Sequence, residues 1–253
     1  MEVTIGVGLG LLAGLLSGLV GIGGGTLIIP LLVLGFGYSQ HEAQGTALMA
    51  FAFPVFIMAA LTYYRHKRVR VRLALIMGLA LAITSYLVAL WVQDISSQSL
   101  KRIFAVFLIA MSLYVFGKST RPIQAQSAAA SSQRSEIGVG LLIGGLTGAI
   151  KGLTGLGGGV IMVPLLVLLA KLDQHTAQGT SLLTMTLPVA FTAAIPYWQH
   201  GHIRWMLVLG LVIGVLIGSF FSSKVAQRLT GRLLAQIFAI VIGSMGVVML
   251  VRG

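Results

Sequence analysis

The chain has 253 residues, of which 57% are hydrophobic and 9% are charged, and its 17 lysine and arginine residues against 5 acidic ones give a net charge of +12. Soluble domains contain about a quarter charged residues, so the composition excludes that class and indicates an all-α, polytopic membrane protein. Cysteine is absent, which excludes disulfides, thiol catalysis and thiolate metal sites. Most cations lie in short loops, as is typical of membrane proteins, so the charge does not indicate nucleic-acid binding.

Five hydrophobic segments make up the first half of the chain, at about residues 3–20, 24–36, 44–64, 72–92 and 100–117. The first lacks the basic region and cleavage site of a signal peptide, so we expect a retained span. The second would reach only about 20 Å as a helix, against roughly 30 Å of hydrocarbon. It follows three consecutive glycines, Gly23 to Gly25, and contains Pro30. This pattern predicts a short, broken helix.

The third segment opens with the polar residues Gln44, Gly45 and Thr46 and contains Pro54. Glutamine and threonine supply uncharged donors and acceptors at a helix start, and a proline inside the helix is predicted to kink it. After the fifth segment, residues 118–135 (KSTRPIQAQSAAASSQRS) are small and polar. They predict a linker between two transmembrane units, 1–117 and 136–253.

The second unit repeats the first at a shift of 134 positions, and 23 of 46 residues are identical between 10–55 and 144–189. Its hydrophobic segments lie at about 137–155, 158–170, 178–198, 205–222 and 233–250. The features described above recur at Gly157, Gly158, Gly159, Pro164, Gln178, Gly179, Thr180 and Pro188. Two unrelated apolar sequences would share leucine and valine but not this pattern, so the chain is predicted to consist of two homologous halves.

The cations predict that the two halves have opposite orientations in the membrane. In the first half, the loop after the third segment contains five cations: Arg65, Lys67, Arg68, Arg70 and Arg72. The equivalent loop of the second half has one, Arg204. With ten crossings and both termini outside, 12 cations lie inside and 4 outside. If the short segments re-enter, with both termini inside, the numbers are 10 and 6. The positive-inside rule favours the first arrangement, which is an inverted repeat.

Short, interrupted segments at matching positions of inverted repeats indicate a transporter site. The first N–H groups of a helix lack partners in the helix and lie at the positive end of its dipole, so they bind anions without a basic side chain. The predicted substrate-binding residues in the two halves are Gly23, Gly24, Gly25, Thr26, Gln44, Gly45 and Thr46, and Gly157, Gly158, Gly159, Gln178, Gly179 and Thr180. The alternative is that the glycines only allow close helix packing and that the glutamines and threonines are satisfied between helices.

Lys151 is the one cation inside a predicted span, and its repeat partner is Ser17. Charged residues inside membranes are usually functional, but a lysine near the end of a span can extend to the surface, so both interpretations stay open. The five acidic residues all lie in predicted loops or near the termini. Cation transporters and proton pumps normally need a carboxylate inside the membrane, so the sequence favours an anion as substrate.

No pattern in the chain predicts catalysis. The histidines lie in predicted loops, and the repeat-matched His41 and His175 are more typical of interface positions than of proton carriers. Neither a metal-binding spacing nor a Ser–His–Asp arrangement is found, so we expect no enzyme, no cofactor and no metal. Four aromatic residues at matching span ends predict an interfacial belt: Tyr63, Tyr64, Tyr197 and Trp198.

Residues 21–32 and 155–166 are two copies of Gly-x-Gly-Gly-Gly…Pro-Leu-Leu, each followed by Ala-Gln-Gly-Thr. This duplicated motif resembles the TauE/SafE family, also called the 4-toluene sulfonate uptake permease family. The resemblance implies a prokaryotic plasma (inner) membrane transporter of sulfite, sulfoacetate or other sulfonates. We therefore expect a secondary carrier or facilitator of a small oxyanion, with both termini periplasmic, and the sequence leaves a homo-oligomer open. The alternatives are a channel-like pore with the same site and a membrane scaffold that transports nothing.

Overall fold

The computed structural model describes residues 2–20, 25–119, 133–155, 158–187, 189–225 and 231–251, and every regular element in these ranges is a helix. The first half contains α1 (Glu2–Val20), α2 (Gly25–Phe36), α3 (Gln40–Ala50), α4 (Ile57–Arg65), α5 (Val71–Val92) and α6 (Ser97–Ser119). The second half contains α7 (Gln133–Thr154), α8 (Gly159–Leu168), α9 (Gln174–Thr186), α10 (Val189–Gln199), α11 (Trp205–Val225) and α12 (Gly231–Val251).

The helix boundaries repeat at the shift of 134 found in the sequence. Helices α3 and α9 begin at Gln40 and Gln174, and α5 and α11 begin at Val71 and Trp205. Each half has six helices among the described residues instead of the five predicted segments, because the predicted third segment is divided into α3 and α4, and into α9 and α10.

The division between α3 and α4 surrounds Pro54. Phe51 is the C-cap of α3, and α4 does not begin until Ile57. Between them the Val55 N–H donates to the Phe53 carbonyl at 2.7 Å, a tight turn that replaces the helical pattern. The sequence predicted a kink here, and the structure has a complete break. Pro188, the repeat partner of Pro54, lies outside the described residues.

Pro30 and Pro164 do not break helices, and that prediction is wrong for both. Each lies inside a continuous helix, α2 and α8 respectively. A proline at this position removes one backbone bond and frees the carbonyl four residues earlier. Inside a membrane protein, neighbouring helices and side chains can satisfy such a carbonyl, so the helix continues past the proline.

The long helices pack in pairs that join the two halves: α1 along α11, α7 along α5, and α6 along α12. Glycines allow the first pair to approach closely. A Cβ on Gly10 would lie 2.6 Å from the Leu211 carbonyl oxygen and 3.0 Å from the Cα of Gly214. The other glycines along this contact are Gly6, Gly14, Gly210 and Gly218. We call it the α1–α11 seam, and it is the geometry expected where small residues let two backbones meet.

The predicted linker is shorter than the polar stretch at 118–135. Helix α6 continues to Ser119 and α7 begins at Gln133, so both helices extend into that stretch. Residues 120–132 lie outside the described residues.

Three helices among the described residues are long and apolar enough to cross a membrane: Val71–Val92, Glu136–Thr154 and Trp205–Ser222. The bent pair His175–Thr186 and Phe191–Gln199, with an angle of 42° between its helices, is a fourth candidate. Large apolar side chains cover the outer faces, such as Leu79 and Trp91, which are 64% and 70% exposed. Such faces suit lipid and not water, so the chain is an all-helical, multi-pass membrane protein.

Candidate functional site

The glycine-rich turn of the second half leads to a helix start that no side chain caps. Gly155 and Gly158 both have a φ of 70°, a left-handed conformation that glycine adopts without strain. Gly158 is the N-cap of α8, and its carbonyl accepts from the N–H groups of Ile161 at 3.2 Å and Met162 at 3.0 Å. The N–H groups before these have no acceptor within the helix, and the positive end of the helix dipole lies at the same place.

This helix start lies deep in the protein. Gly158 and Gly159 are buried, and a Cβ on Gly158 would lie 3.3 Å from Thr147 Cγ2 and 3.9 Å from Leu81 Cδ1. Leu81 is at the middle of α5, a helix that can cross a membrane. Helix α8 has 10 residues, or about 15 Å, which is roughly half the thickness of a bilayer core.

The matching turn of the first half is described only from the start of α2. Gly23 and Gly24, like Gly157, lie outside the described residues. Gly25 and Thr26 form the first turn of α2 and are buried, with Thr26 only 1% exposed. The helix start that follows these glycines is therefore also internal.

Gln44 and Gln178 are each bonded to a tyrosine of the other half. The Tyr197 hydroxyl donates to Gln44 Oε1 at 2.9 Å, and the Tyr63 hydroxyl donates to Gln178 Oε1 at 3.1 Å. Gln44 Nε2 also donates to the Leu153 carbonyl at 3.4 Å. The amide oxygen and the amide nitrogen of Gln44 are thus both hydrogen-bonded within the protein.

The predicted aromatic belt is wrong for Tyr197, which is fully buried and bonds to Gln44 inside the protein. Tyr63 is half-buried, and its place in the belt stays a prediction. Tyr64 and Trp198, their neighbours in sequence, are 58% and 52% exposed.

Thr46 and Thr180 accept backbone N–H groups from the other half. The Arg204 N–H donates to Thr46 Oγ1, and the Arg70 N–H donates to Thr180 Oγ1, both at 3.1 Å. Gly45 packs on the same loop as Thr46, since a Cβ there would lie 2.6 Å from the His202 carbonyl oxygen. These residues therefore have partners between helices, which is what the packing alternative predicts. Their contact with a substrate stays a prediction.

The structure brings one glycine turn against Gln44. A Cβ on Gly155 would lie 2.8 Å from both Cβ and Cγ of Gln44. The predicted position of Gln44 and Gln178 at helix starts is wrong, because α3 begins at Gln40 after its N-cap Ser39 and α9 begins at Gln174 after its N-cap Asp173. The turn of the second half and the interior of α3 are therefore neighbours. Whatever their role with a substrate, the Gln44 contacts fix the position of this turn.

Lys151 and Thr147 lie on α7, one helical turn apart, close to the start of α8. Lys151 is 2% exposed, so it is buried in the protein and does not extend to the surface. Thr147 is 0% exposed, and its Oγ1 has no hydrogen-bond partner among the described residues. Leaving a buried hydroxyl unpaired costs about 1–3 kcal/mol. The sequence patterns did not indicate Thr147. The one signal was a difference between the halves, since its repeat partner, Ala13, has no hydroxyl.

The ion pairs of the described residues lie at the ends of helices and leave Lys151 without a carboxylate. Arg204 pairs with Glu42 at 2.6 Å, and Arg68 pairs with Asp173 at 3.2 Å. Burial alone would raise the pKa of Asp173, but hydrogen bonds within its own helix start and the charge of Arg68 outweigh it and hold the pKa below its usual value. Both acids are therefore anionic near neutral pH.

Three histidines lie together at one end of the protein. The rings of His41 and His202 are 5.2 Å apart, and those of His200 and His202 are 6.3 Å apart. His41 is 7% exposed, whereas His175 is exposed, and their position at the membrane interface stays a prediction. Burial, followed by the charges of His41 and His200, lowers the pKa of His202 and favours its neutral form. Within the described ranges, no group of three or more potential ligands is arranged to hold a metal.

Comparison with known proteins identifies the family. The family model for the sulfite exporter TauE/SafE matches residues 6–249. The chain is 29% identical over 230 residues to the "Probable membrane transporter protein YunE" of Bacillus subtilis, covering 83% of this chain and 84% of that one. It is 33% identical over 168 residues to the "Probable membrane transporter protein MJ0441" of Methanocaldococcus jannaschii, covering 63% and 59%. No solved structure gives a significant match. Because the match extends over nearly the whole of a multi-pass helical protein, the chain belongs to the TauE/SafE family of membrane transporters.

Proposed function

We propose that this protein is a secondary carrier or facilitator that moves a small sulfur-containing oxyanion, such as sulfite, sulfoacetate or another organosulfonate, across the prokaryotic plasma membrane. The observation that supports this most directly is the buried, uncapped start of α8 at Gly158. Helix starts of this kind bind anions through backbone N–H groups. The name of the matched family, sulfite exporter, indicates the class of anion.

Lys151 adds charge to the same region. A buried ammonium group without a carboxylate partner is costly in a protein interior. No ion pair of the described residues includes Lys151. An oxyanion bound at the start of α8 would supply the missing negative charge, and this accounts for a lysine that is 2% exposed.

Alternating access by an inverted repeat is the mechanism we propose for the movement. Two groups of contacts support it. At one end of the protein, Glu42 pairs with Arg204, and the Tyr38 hydroxyl donates to Glu2 at 3.2 Å. At the other end, Arg68 pairs with Asp173. The first group contains loops that the cation count assigns to the outside, and the second contains loops that it assigns to the inside.

The membrane potential favours export over uptake. Moving one negative charge out of a cell that is negative inside gains about 2.3 kcal/mol per 100 mV. Uptake would need a coupled cation, and such sites normally include a carboxylate within the membrane. In the described ranges, the spans that can cross a membrane contain one acid, Glu136, at the first residue of its span. We therefore propose export without a coupling ion.

The test is sulfite efflux from proteoliposomes under an imposed potential, with the wild type and two site variants. Lys151→Met keeps the length of the side chain and removes its charge, and Gly158→Ala puts a Cβ on a residue with a φ of 70°. We expect each to slow efflux at least about tenfold, the effect of losing one hydrogen bond to a charged group. Gly8→Ala is the matched control, because nothing lies within 4 Å of the added Cβ, and it should transport like the wild type.

The outcomes separate the three functions considered for this chain. Saturable efflux that both site variants lose supports the carrier. Conductance far faster than a carrier cycle would assign the same site to a channel. An absence of flux for sulfite, sulfoacetate and other sulfonates, from folded protein and at both polarities, would leave the glycines with a packing role and overturn the proposal.

A further inference from the structure

Thr147 is unusual among the threonines of the described helices. Threonine in a helix commonly donates its hydroxyl to the carbonyl four residues earlier. Six residues do so at 2.6 to 2.9 Å: Thr62, Thr84, Thr154, Thr180, Thr184 and Thr186. Thr147 is fully buried, and its Oγ1 has no partner among the described residues. The helix itself offers this hydroxyl an acceptor, and the side chain is not oriented to use it.

The methyl group of Thr147 lies against the start of α8: its Cγ2 is 3.3 Å from the position that a Cβ on Gly158 would occupy. The hydroxyl is bonded to the same Cβ atom as this methyl group, so the unpaired Oγ1 lies close to the same turn. Lys151 follows four residues later, and residues at this spacing share one face of a helix. A free hydroxyl, a buried ammonium group and unpaired backbone N–H groups are therefore grouped within one part of the protein.

The first half does not repeat these two side chains. At the shift of 134, Thr147 corresponds to Ala13 and Lys151 to Ser17. Ala13 is 0% exposed and supplies no polar atom. The glycine motif is thus duplicated in the sequence, but only the second copy has a threonine and a lysine at these two positions.

We propose that Thr147 donates a hydrogen bond to the transported oxyanion, and that the principal anion-binding site is in the second half, at the start of α8. The proposal rests on the proposed function and adds to it a binding residue and a difference between the two halves. It explains why this hydroxyl is left unpaired in a buried position.

The experiment measures sulfite binding to the full chain in detergent by its effect on thermal unfolding, with sodium chloride at the same ionic strength as reference. A ligand that binds only the folded state stabilises it by RT ln(1 + [L]/Kd), so the rise of the midpoint with sulfite concentration gives an apparent Kd. Thr147→Val removes the hydroxyl and keeps the shape. We expect its apparent Kd for sulfite to rise about tenfold while its midpoint without sulfite stays the same or rises. Thr147→Ser, which keeps the hydroxyl, should bind within about twofold of the wild type.

Thr184→Val is the matched control. Thr184 is also 0% exposed, but its hydroxyl donates to the Thr180 carbonyl at 2.9 Å and lies 3.3 Å from the Ala74 carbonyl. Its loss should lower the midpoint and leave the apparent Kd unchanged, the opposite of Thr147→Val. If Thr147→Val does not fold, Thr147→Ala compared with Thr147→Ser tests the same hydroxyl.

The results distinguish this inference from the function on which it rests. Wild-type protein that sulfite and sulfoacetate stabilise no more than chloride overturns both. Wild-type binding that Thr147→Val retains overturns the role of Thr147 alone. A rise in Kd that Thr147→Ser shares with Thr147→Val would also overturn it, because a variant that keeps the hydroxyl would then bind no better than one that lacks it.

Discussion

One glutamine inside the third helix of each half is bonded to a tyrosine far away in sequence. Gln44 and Tyr197 are 153 positions apart, and Gln178 and Tyr63 are 115 apart. In a buried environment, an amide oxygen that loses its donor keeps its desolvation cost without compensation. These two bonds therefore contribute to the attachment of one half to the other.

Tyr197→Phe should lower the free energy of unfolding by about 1–3 kcal/mol, because Gln44 Oε1 is left unpaired in the interior. Tyr63→Phe should have a smaller effect, since Tyr63 is half-buried and water can replace its hydroxyl. Reversible unfolding in mixed micelles measures both. Tyr64→Phe is the control, since Tyr64 is 58% exposed. Equal stability of Tyr197→Phe and Tyr64→Phe would contradict the role given to this bond.

For individual residues, the sequence identified the positions that matter but not the groups that they contact. Gln44, Thr46 and their repeat partners stood out because polar residues are duplicated in an apolar chain. Their partners, Tyr197 and the Arg204 backbone, could not be inferred, because no local pattern connects residues so far apart. Thr147 was missed because it is not duplicated. Its significance appears only in the structure, where its buried hydroxyl does not donate to the carbonyl four residues earlier.

Between elements, helices α1 and α11 approach so closely that their backbones are in contact. Along the α1–α11 seam, the neighbours of an added Cβ are backbone atoms, such as the Leu211 carbonyl oxygen facing Gly10. Backbone atoms of packed helices cannot turn aside as a side chain can. A larger residue must therefore push the two helices apart along their length.

Gly10→Ala should lower the free energy of unfolding by about 1–3 kcal/mol, the usual cost of overpacking. Gly8→Ala is two residues away on the same helix, where nothing lies within 4 Å of the added Cβ, and it should leave stability unchanged. Thermal unfolding of the two variants in one detergent makes the comparison. If both variants were as stable as the wild type, the close approach of α1 and α11 would be refuted.

The prolines show why the elements were only partly predictable. The sequence marked Pro30, Pro54 and Pro164 alike as points of interruption, yet only Pro54 lies at a break. Whether a helix continues past a proline depends on what satisfies the freed carbonyl, and that group belongs to another part of the fold. The start of α2 at Gly25 and the glycine turn before α8 were predicted better, since a helix start needs no distant partner.

For the molecule as a whole, the duplication predicts that equivalent residues lie on opposite sides of the membrane. His66 and His200 are such a pair, 134 positions apart, and both are exposed. His66 follows α4 in the strongly basic loop, and His200 follows α10. The cation distribution assigns the first to the inside and the second to the outside.

Single cysteines test this directly, because the chain has none of its own. In intact cells, a membrane-impermeant maleimide should label His200→Cys and should label His66→Cys only after permeabilisation. Labelling of both variants, or of neither, before permeabilisation would show that the halves have the same orientation. Efflux measured for each variant confirms that the labelled protein is folded.

Synthesis of the chain separates the two sides of the α1–α11 seam in time. Gly10 and Gly214 are about 200 residues apart, and a ribosome adds about 5–20 residues per second. Helix α1 therefore exists for on the order of 10–40 seconds before its partner is made, with its glycine face against lipid or the insertion machinery. Helix α7, in contrast, follows α5 and finds its partner already in place. Of the three pairs of long helices, α1 and α11 thus spend the longest time apart during synthesis.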